Sequence, residues 1–394
     1  MPKVLRIINR FNLGGITYNV SYLSRYLPGD YETLLIGGPE EADEESSLFI
    51  PRSLGIEPVL IPEMRRSPNL FRDLKAYRKI RKIIREFKPD LVHTHASKAG
   101  LLGRLAAWRS GVPVIVHTFH GHVFSGYFPA WQSALLKILE RFLARRTTAI
   151  IAISNKQKNE LSELHRICKA DKLHVIPLGF DLKRFTENQT EKRTGFRSLF
   201  ALKDDEIAVG IIGRLAPVKN HKLFIDAVFA AAEKKRIRFR AFIIGDGHTR
   251  KDMEDYIARR ITQLDIQEET RALISFTGWI REVDQVLAGL DLVCLTSLNE
   301  GTPVSLIEAQ AAGKFIVSTD VGGIADILIP ECGLLSPPGN EKAFTKNLVH
   351  ALEHFSELRH QTEEARHEIL KRYSYERLCG DMNRLYGKLL SGTD

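Results

Sequence analysis

The stretch SLNEGTPVSLIEA, at residues 297–309, follows a short apolar run, Leu292–Leu295, and contains the start of an amphipathic run, Val304–Ala312. An apolar run, a polar loop and a helical period in this order are typical of a strand, loop and helix in an α/β sheet. Thr302 suits the N-cap of that helix and Pro303 its first position, so the helix is expected to begin here. The free amides of its first turn would favour an anion.

Two carboxylates flank the predicted helix start. Glu300 lies in the loop, and Glu308 lies about one and a half turns inside the helix. Both could face one bound ligand, because carboxylate oxygens accept hydrogen bonds from hydroxyl groups. An ordinary capped helix with two surface glutamates is the alternative interpretation.

Strand-like and helix-like runs alternate on both sides of this stretch. The predicted strands are Val4–Asn9, Thr33–Ile36, Pro58–Ile61, Leu91–His95, Val114–His117, Ala149–Ile153 and Leu173–Ile176 in the first half, and Ile207–Ile212, Phe239–Ile244, Leu273–Phe276, Leu292–Leu295 and Phe315–Val317 in the second. The predicted helices are Tyr18–Leu27, Asn69–Phe87, Gly100–Arg109, Trp131–Arg146, Lys222–Lys235, Lys251–Leu264, Val304–Ala312 and Tyr375–Leu390. This alternation predicts an α/β fold with a parallel, doubly wound sheet in each half.

The length of 394 residues is too great for one ordinary core and predicts two domains. The polar stretch Asp181–Lys203 lacks sustained periodicity and is interpreted as the linker. We therefore expect an N-terminal domain at residues 1–183, a C-terminal domain at 197–374, and a final helix at 375–394 that crosses back to the first domain. The ends of the strands would line a central cleft, where open α/β sheets bind ligands.

Composition bounds the class of protein. Apolar residues make up 44% of the chain and charged residues 27%, which is typical of a soluble globular protein. No run of about 18 apolar residues could span a bilayer, and the apolar part of the N-terminus is too short for a secretory signal. Four widely spaced cysteines without a CxxC or Cys/His cluster argue against structural zinc and favour reduced thiols in a cytoplasmic protein.

The net charge of +9 is unevenly distributed along the chain. Residues 1–186 contain 29 Lys/Arg and 17 Asp/Glu, whereas the remainder contains 28 and 31. A basic first half predicts an anionic partner, which could be a membrane surface, a phosphorylated acceptor or nucleic acid. A basic surface that serves only solubility is the alternative.

Glycine-containing loops follow several predicted strands. In GRLAPVKNH, at residues 213–221, a tight turn carries Arg214 and Lys219 beside a helix start, which is the chemistry that a diphosphate needs. A surface loop with two unrelated cations is the alternative. The other loops are Gly14-Gly15, Gly245-Asp246-Gly247 and Gly322-Gly323. The chain lacks GxGxxG and GxxxxGK[ST], so NAD-binding and P-loop functions have no support.

Histidines are concentrated at the ends of two strands of the first half, in HTHASKAG (residues 93–100) and HTFHGH (residues 117–122). A histidine at a strand end can bind phosphate or orient a hydroxyl group, and His120 is the main candidate. Zinc binding is the rival interpretation, but no thiol or acidic partner accompanies the cluster. A structural histidine is the simplest alternative.

Aromatic and basic residues follow these histidines. The stretch VFSGYFPAW (residues 123–131) leads into a helix that ends with Arg141, Arg145 and Arg146, and the segment Arg65–Lys88 contains ten Lys/Arg and only two acids. Basic helices beside aromatic loops suit peripheral attachment to an anionic bilayer. An outer helix with a solvated basic face is the alternative.

In this order, the motifs resemble glycosyltransferase family 4, a retaining family with the GT-B fold of two Rossmann-like domains facing a cleft. The resemblance covers nearly the whole chain and includes IPLGFD (176–181), Gly278-Trp279 and TDVGG (319–323). It implies catalytic roles for His120 near the reacting centre, Arg214 and Lys219 on the donor diphosphate, and Glu300 on the donor sugar. Glu308 would hold the nucleotide ribose. The implied donor-binding backbone is Gly14, Gly15, Gly213, Gly245, Gly301, Thr302, Pro303 and Val304.

The resemblance implies transfer of a hexose from a nucleoside-diphosphate sugar, with UDP as the expected nucleotide, without a metal or other cofactor. The two histidine runs are similar to those of the subset that builds bacterial surface polysaccharides. That subset often uses polyprenyl-diphosphate-linked acceptors at the cytoplasmic face of the cell membrane. His95, Lys98, His122 and Phe124 are the corresponding candidates for acceptor binding.

Three other functions are considered. The same transfer to a small soluble acceptor would not require vesicle binding. A GT-B nucleotide-sugar epimerase would consume its donor without an acceptor. A nucleic-acid-binding module is suggested by charge alone and would bind RNA or DNA in a strongly salt-dependent way. We expect no nucleic-acid partner.

Overall fold

The computed structural model describes residues 1–12, 14–42, 44–121, 129–234, 237–263 and 273–392. The chain forms two compact units. The first contains Met1–Phe180 and Arg372–Asp394, and the second contains Asp181–Lys371. Within the described ranges, no helix is both long and apolar enough to cross a membrane.

The first unit is built on a parallel sheet with the strand order β3-β2-β1-β4-β5-β6-β7. The strands are β1 (Lys3–Arg10), β2 (Glu32–Gly38), β3 (Val59–Leu60), β4 (Leu91–His95), β5 (Val114–Phe119), β6 (Ala149–Ala152) and β7 (Leu173–Val175). The strand order reverses between β1 and β4. In open α/β sheets, the carboxyl ends of the strands at such a reversal form a crevice for ligands.

The second unit has a parallel sheet with the order β10-β9-β8-β11-β12-β13. Its strands are β8 (Ile207–Ile212), β9 (Phe239–Ile244), β10 (Ile274–Gly278), β11 (Leu292–Leu295), β12 (Phe315–Thr319) and β13 (Gly333–Ser336). The reversal lies between β8 and β11. The residues of both strands are almost entirely buried, as is usual for a sheet covered by helices on both faces.

Helices alternate with the strands in both units. In chain order they are α1 (Gly15–Tyr26), α2 (Phe49–Ser53), α3 (Leu70–Phe87), α4 (Ser97–Arg109), α5 (Ala130–Ala144), α6 (Asn155–Asn159), α7 (Gln189–Leu199), α8 (His221–Glu233), α9 (Arg250–Gln263), α10 (Val283–Gly289), α11 (Val304–Ala311), α12 (Ile324–Ile327), α13 (Glu341–Glu353), α14 (Phe355–Tyr373) and α15 (Tyr375–Ser391). The prediction of a doubly wound parallel sheet in each half is confirmed.

Helix α15 belongs to the first unit. Leu378, Met382 and Tyr386 are buried in the same apolar cluster as Val4 and Val116 of the sheet. Burial of each such side chain contributes about 1.5–3 kcal/mol. Backbone hydrogen bonds fix the start of the helix to the end of the first segment, because Phe180 N donates to Tyr373 O and Tyr375 N donates to Phe180 O.

The predicted linker Asp181–Lys203 was wrong in its central part. This region contains α7, whose Arg193 and Arg197 donate to the Asp291 carboxylate at 2.8 Å and 3.2 Å. Phe196 is buried and lies so close to Gly289 that a Cβ there would be 2.2 Å from the ring. The charged residues of this stretch form ion pairs with the loop before β11. Local periodicity cannot predict such pairs, because the partners are distant in sequence.

Candidate active site

Loops at the carboxyl ends of β8 and β11 are joined in the second unit. Leu298 N donates to Val218 O at 2.8 Å, and Thr296 Oγ1 donates to Lys219 O at 2.9 Å. The predicted diphosphate loop and the predicted glutamate loop therefore meet at the topological reversal of this sheet. That is the position at which an open α/β sheet binds a ligand.

The Glu300 carboxylate is the centre of this cluster. Its Oε1 accepts from Lys219 Nζ at 2.5 Å and from Ser297 Oγ at 2.6 Å. The Lys219 and Glu300 side chains are only 22% and 12% exposed. A charge-assisted pair that is largely shielded from water is stronger than an exposed one. The structure thus brings together two residues that the sequence predicted separately, and it adds Ser297.

The backbone of Glu300 is held by the loop after β12. Gly322 has φ +60°, and a Cβ at this position would lie 1.8 Å from Glu300 O. Gly323 N donates to Gly301 O at 2.9 Å. Only glycine permits this approach, so the TDVGG motif fixes the loop that carries the carboxylate.

A similar close approach supports the loop that carries Arg214. Gly245 has φ +131°, and a Cβ there would lie 2.2 Å from Gly213 O. Leu215 N also donates to Asp246 O at 2.9 Å. Gly245 therefore packs directly against the diphosphate loop. Arg214 itself is exposed, in contrast to Lys219.

Helix α11 begins at Val304, as the predicted run Val304–Ala312 indicated, but its N-cap lies one residue later than the predicted Thr302. Pro303 is the N-cap, with extended backbone angles, and the first helical residue is Val304. The predicted cap by Thr302 was wrong, because no side chain caps this helix end. The prediction missed that Pro303 can take the extended conformation of a cap residue. Pro303 offers no side-chain acceptor to the first-turn amides at Val304 and Ser305, and amides at such a position suit an anion.

Glu308 lies one turn inside α11 and is half-buried. Burial raises the pKa of its carboxyl to about 7, and the nearby Arg184 opposes this rise only in part. The protonated form of Glu308 is therefore populated near neutral pH. This residue can change its hydrogen-bonding role between pH 6 and 8.

Four histidines are concentrated at the carboxyl ends of β4 and β5 in the first unit. His95 Nδ1 and His120 Nε2 are hydrogen-bonded at 3.0 Å, and the His93 and His95 rings stack with centroids 4.0 Å apart. His93 also bonds to Tyr386 Oη on α15 at 2.6 Å, and His117 Nδ1 bonds to Thr94 Oγ1 at 2.8 Å. The structure therefore joins the two predicted histidine runs into one cluster.

Burial keeps these histidines neutral. The pKa of His120 is lowered to about 4 by desolvation, and the pKa values of His93, His95 and His117 are well below their ordinary value for the same reason. Neutral His120 can accept or donate one hydrogen bond but does not carry a charge at pH 7. It is partly exposed, whereas the other three are buried.

Arg6 on β1 was missed by the sequence analysis. Its side chain is fully buried, and its guanidinium nitrogens have no hydrogen-bond partner among the residues described here. The guanidinium lies 5.9 Å from the Tyr386 ring centre, and its charge contributes to lowering the pKa of His93 and His95. An arginine inside the apolar run VLRII was the available signal.

The remaining predicted site residues are Lys98, Gly14, Gly15, His122 and Phe124. Lys98 was expected to bind the acceptor. Its Nζ lies within hydrogen-bonding distance of Asp73 Oδ1 (2.7 Å), Arg65 O (2.8 Å) and Ser67 O (2.9 Å), so its three protons have acceptors within the protein. Gly14 and Gly15 lie at the start of α1, after β1. His122 and Phe124, with the rest of 122–128, lie outside the described residues.

Comparisons with known proteins agree with this organisation. Residues 13–184 match Glycosyltransferase Family 4, and residues 206–354 match Glycosyl transferases group 1. The chain is 33% identical over 265 residues to the UDP-Gal:alpha-D-GlcNAc-diphosphoundecaprenol alpha-1,3-galactosyltransferase of Escherichia coli. That match covers 67% of this chain and 66% of the E. coli enzyme, so the chain spans about two thirds of the length of this relative.

Two solved structures share the fold over nearly the whole chain. The UDP complex of Anabaena Alr3699/HepE has a TM-score of 0.80 at 19% identity and covers 98% of this chain and 100% of its own. WaaG, a glycosyltransferase involved in lipopolysaccharide biosynthesis, has a TM-score of 0.69 at 18% identity and covers 97% and 99%. With the two family matches and the galactosyltransferase relative, the chain belongs to glycosyltransferase family 4 and has the GT-B fold.

Proposed function

We propose that this protein is a retaining hexosyltransferase that moves a sugar from a UDP-sugar to a hydroxyl group of a polyprenyl-diphosphate-linked glycan. The observation that carries the proposal is the contact of Lys219, Ser297 and Glu300 beside the uncapped first turn of α11. A partly shielded cation, a carboxylate and backbone amides at one strand end can hold a diphosphate and a sugar at the same time.

The cations and amides have a proposed role in the departure of the nucleotide. Arg214, Lys219 and the first-turn amides of α11 would stabilise the charge that develops on the diphosphate. Glu300 would accept hydrogen bonds from hydroxyl groups of the donor sugar. Because its carboxylate and the Lys219 ammonium touch, sugar and phosphate would be positioned by one rigid pair. The reaction proposed here therefore needs no metal.

Retention is proposed to follow from attack on the face that the nucleotide leaves. The bond from the anomeric carbon to the diphosphate oxygen breaks as the acceptor oxygen bonds to the same face of that carbon. The acceptor proton passes to the departing phosphate oxygen. Trapping of a covalent glycosyl-enzyme adduct would contradict this step.

The acceptor proposal rests on similarity and on charge. The name of the E. coli relative specifies a UDP-linked galactose donor and a diphosphoundecaprenol acceptor, and the Anabaena structure contains UDP. Residues 1–186 of this chain carry a charge of +12, which suits an acceptor with a diphosphate in an anionic membrane. The proposed place of action is the cytoplasmic face of the cell membrane, with the protein attached peripherally.

Nucleotide release from UDP-, GDP- and ADP-sugars tests the function directly. We expect release from one UDP-sugar that increases with bacterial lipid extract, persists in EDTA and is lost in Arg214→Ala. Consumption of the donor without any acceptor would instead indicate an epimerase. Nucleotide release only with water-soluble acceptors would exclude a lipid-linked glycan as the acceptor. The absence of both release and nucleotide binding would contradict the proposed function.

The affinity for UDP is expected to depend on the ionisation of Glu308. If the carboxylate accepts bonds from the ribose hydroxyl groups, binding selects the ionised form, of which only about a tenth is present one pH unit below a pKa of about 7. Calorimetry should therefore give a roughly tenfold weaker Kd for UDP at pH 6 than at pH 8, with proton release on binding at pH 6.5. Glu308→Gln should bind UDP more weakly and lose this pH dependence. A pH-independent Kd for UDP in the unmodified protein would contradict the proposed contact between Glu308 and the ribose.

A further inference from the structure

Helix α5 has an unusual distribution of polarity. Trp131, Leu135, Ile138 and Phe142 are exposed by 68%, 59%, 60% and 39%. Their spacing of four, three and four residues places them on one face of the helix. A helix that packs on a sheet normally buries such a stripe, because each large apolar side chain gains from removal from water.

The buried side of the same helix is only partly apolar. Leu143 and Ala144 are buried, but so are Ser133 and Glu140, and the Glu140 carboxylate accepts from Arg104 of α4 at 2.6 Å. Helix α5 is therefore fixed to the first unit partly through an ion pair, and its apolar stripe remains on the surface. A contiguous exposed apolar face marks an interaction site.

Aromatic rings and guanidinium groups border one end of the stripe. The Arg146 guanidinium lies 3.8 Å from the Phe142 ring centre and 4.3 Å from that of Trp108, and the Arg109 guanidinium lies 5.2 Å from Trp108. Arg145 is also exposed. An apolar centre with amphipathic aromatics and cations at its border matches the interface of an anionic bilayer, where apolar groups enter the acyl region and cations remain with the headgroups.

The neighbouring helices continue this chemistry. Helices α3, α4 and α5 together contain twelve Lys/Arg and three Asp/Glu. The first turns of α3 and α4 are joined by the Lys98–Asp73 ion pair, and Leu70 and Phe71 at the start of α3 are about 80% exposed. Each of these helices begins on the carboxyl side of the strand before it. The exposed apolar residues Leu70, Phe71 and Trp131 therefore lie toward the edge of the sheet that carries His95 and His120.

We propose that the α5 face, defined as Trp131, Leu135, Ile138 and Phe142, inserts into an anionic lipid bilayer and orients the first unit on it. The first turn of α3 would supply a second contact. This inference rests on the proposed function for its biological purpose, since a membrane-held acceptor would then approach the edge that carries the histidine cluster. It deepens that function by assigning the surface that meets the lipid. The binding step itself requires no donor or acceptor.

Binding to vesicles without substrates tests the assignment. Full-length protein should co-sediment with phosphatidylcholine vesicles that contain 30% phosphatidylglycerol, and at least tenfold less with vesicles of phosphatidylcholine alone. Leu135→Ser/Ile138→Ser should reduce binding to the anionic vesicles at least tenfold. In Trp108→Phe/Trp279→Phe protein, the fluorescence of Trp131 should shift to the blue on binding and be quenched by brominated lipid.

A matched control separates this face from general hydrophobicity. Leu164 and Leu199 are 70% and 74% exposed on other elements, so Leu164→Ser/Leu199→Ser should leave vesicle binding unchanged. Circular dichroism confirms that both double variants are folded. Equal vesicle binding by the α5 variant and the unmodified protein, or no response of the Trp131 fluorescence, would overturn the proposal.

The proposed transferase function is measured separately, as UDP release with a short-chain, water-soluble acceptor. Leu135→Ser/Ile138→Ser should retain that release, because neither residue belongs to the proposed donor or acceptor machinery. If Leu135→Ser/Ile138→Ser loses vesicle binding and retains UDP release, the result supports the α5 assignment. Failure of release in the unmodified protein counts against the proposed function, while the vesicle measurement still decides the assignment.

Discussion

Lys219→Met is expected to lower kcat for sugar transfer by about 10²–10³-fold without unfolding the protein. The Lys219 side chain is 22% exposed and its ammonium contacts the Glu300 carboxylate at 2.5 Å, so its charge acts in a region that is partly shielded from water. In the proposed reaction, that charge stabilises the departing diphosphate. Because the stabilisation grows as the bond breaks, the loss should affect kcat more than KM. Steady-state kinetics with the UDP-sugar measures both values.

A cation three residues further along provides the control. Lys222 is exposed on the first turn of α8, so Lys222→Met removes the same charge outside the cluster and should change kcat less than threefold. The double variant Lys219→Met/Glu300→Gln should lose much less than the product of the two single losses, because the two residues act as a pair. Equal effects of Lys219→Met and Lys222→Met on kcat would show that the contact with Glu300 has no part in catalysis.

Much of the fold was predictable because the buried parallel strands are short, nearly continuous apolar runs. Leu91–His95, Ile207–Ile212, Phe239–Ile244 and Leu292–Leu295 were predicted with their observed bounds. Elements whose stability comes from distant partners were missed. Strand β13 (Gly333–Ser336) has only four residues, one of them glycine, and it forms by pairing with β12.

Each part of the site was predictable from the sequence of its own loop, but the contacts between the loops were not. Glu300, Lys219 and the glycine loops have local signals, namely a helix start, a turn and paired glycines. Their mutual contact depends on the hydrogen bonds between the loops after β8 and β11, which join residues about 80 positions apart. No local pattern contains that information. The ion pair of Lys98 with Asp73 is a further contact of this kind, since Asp73 is on another helix.

His120→Ala is expected to lower kcat by about 10²-fold, and the pH profile should show how the residue acts. Because burial lowers the pKa of His120 to about 4, the residue is neutral throughout pH 5.5–8. In the proposed reaction, a neutral imidazole would orient the acceptor hydroxyl or accept a hydrogen bond from the donor sugar. The pH profile of kcat in the unmodified protein should then show no inflection near the ordinary histidine value of about 6.5.

His95 is the matched test of positioning, because it touches His120 and is buried. Its Nδ1 bonds to His120 Nε2 at 3.0 Å, so the tautomer of one ring is coupled to that of the other. His95→Ala should let water reach His120, so the pKa of His120 should rise toward 6.5, and kcat should fall about tenfold at pH 5.5 but less at pH 8. The histidine side-chain resonances, titrated by NMR in both proteins, measure that pKa directly. If His120 titrates near 6.5 in the unmodified protein as well, the histidine cluster is hydrated and the neutral role argued for His120 is wrong.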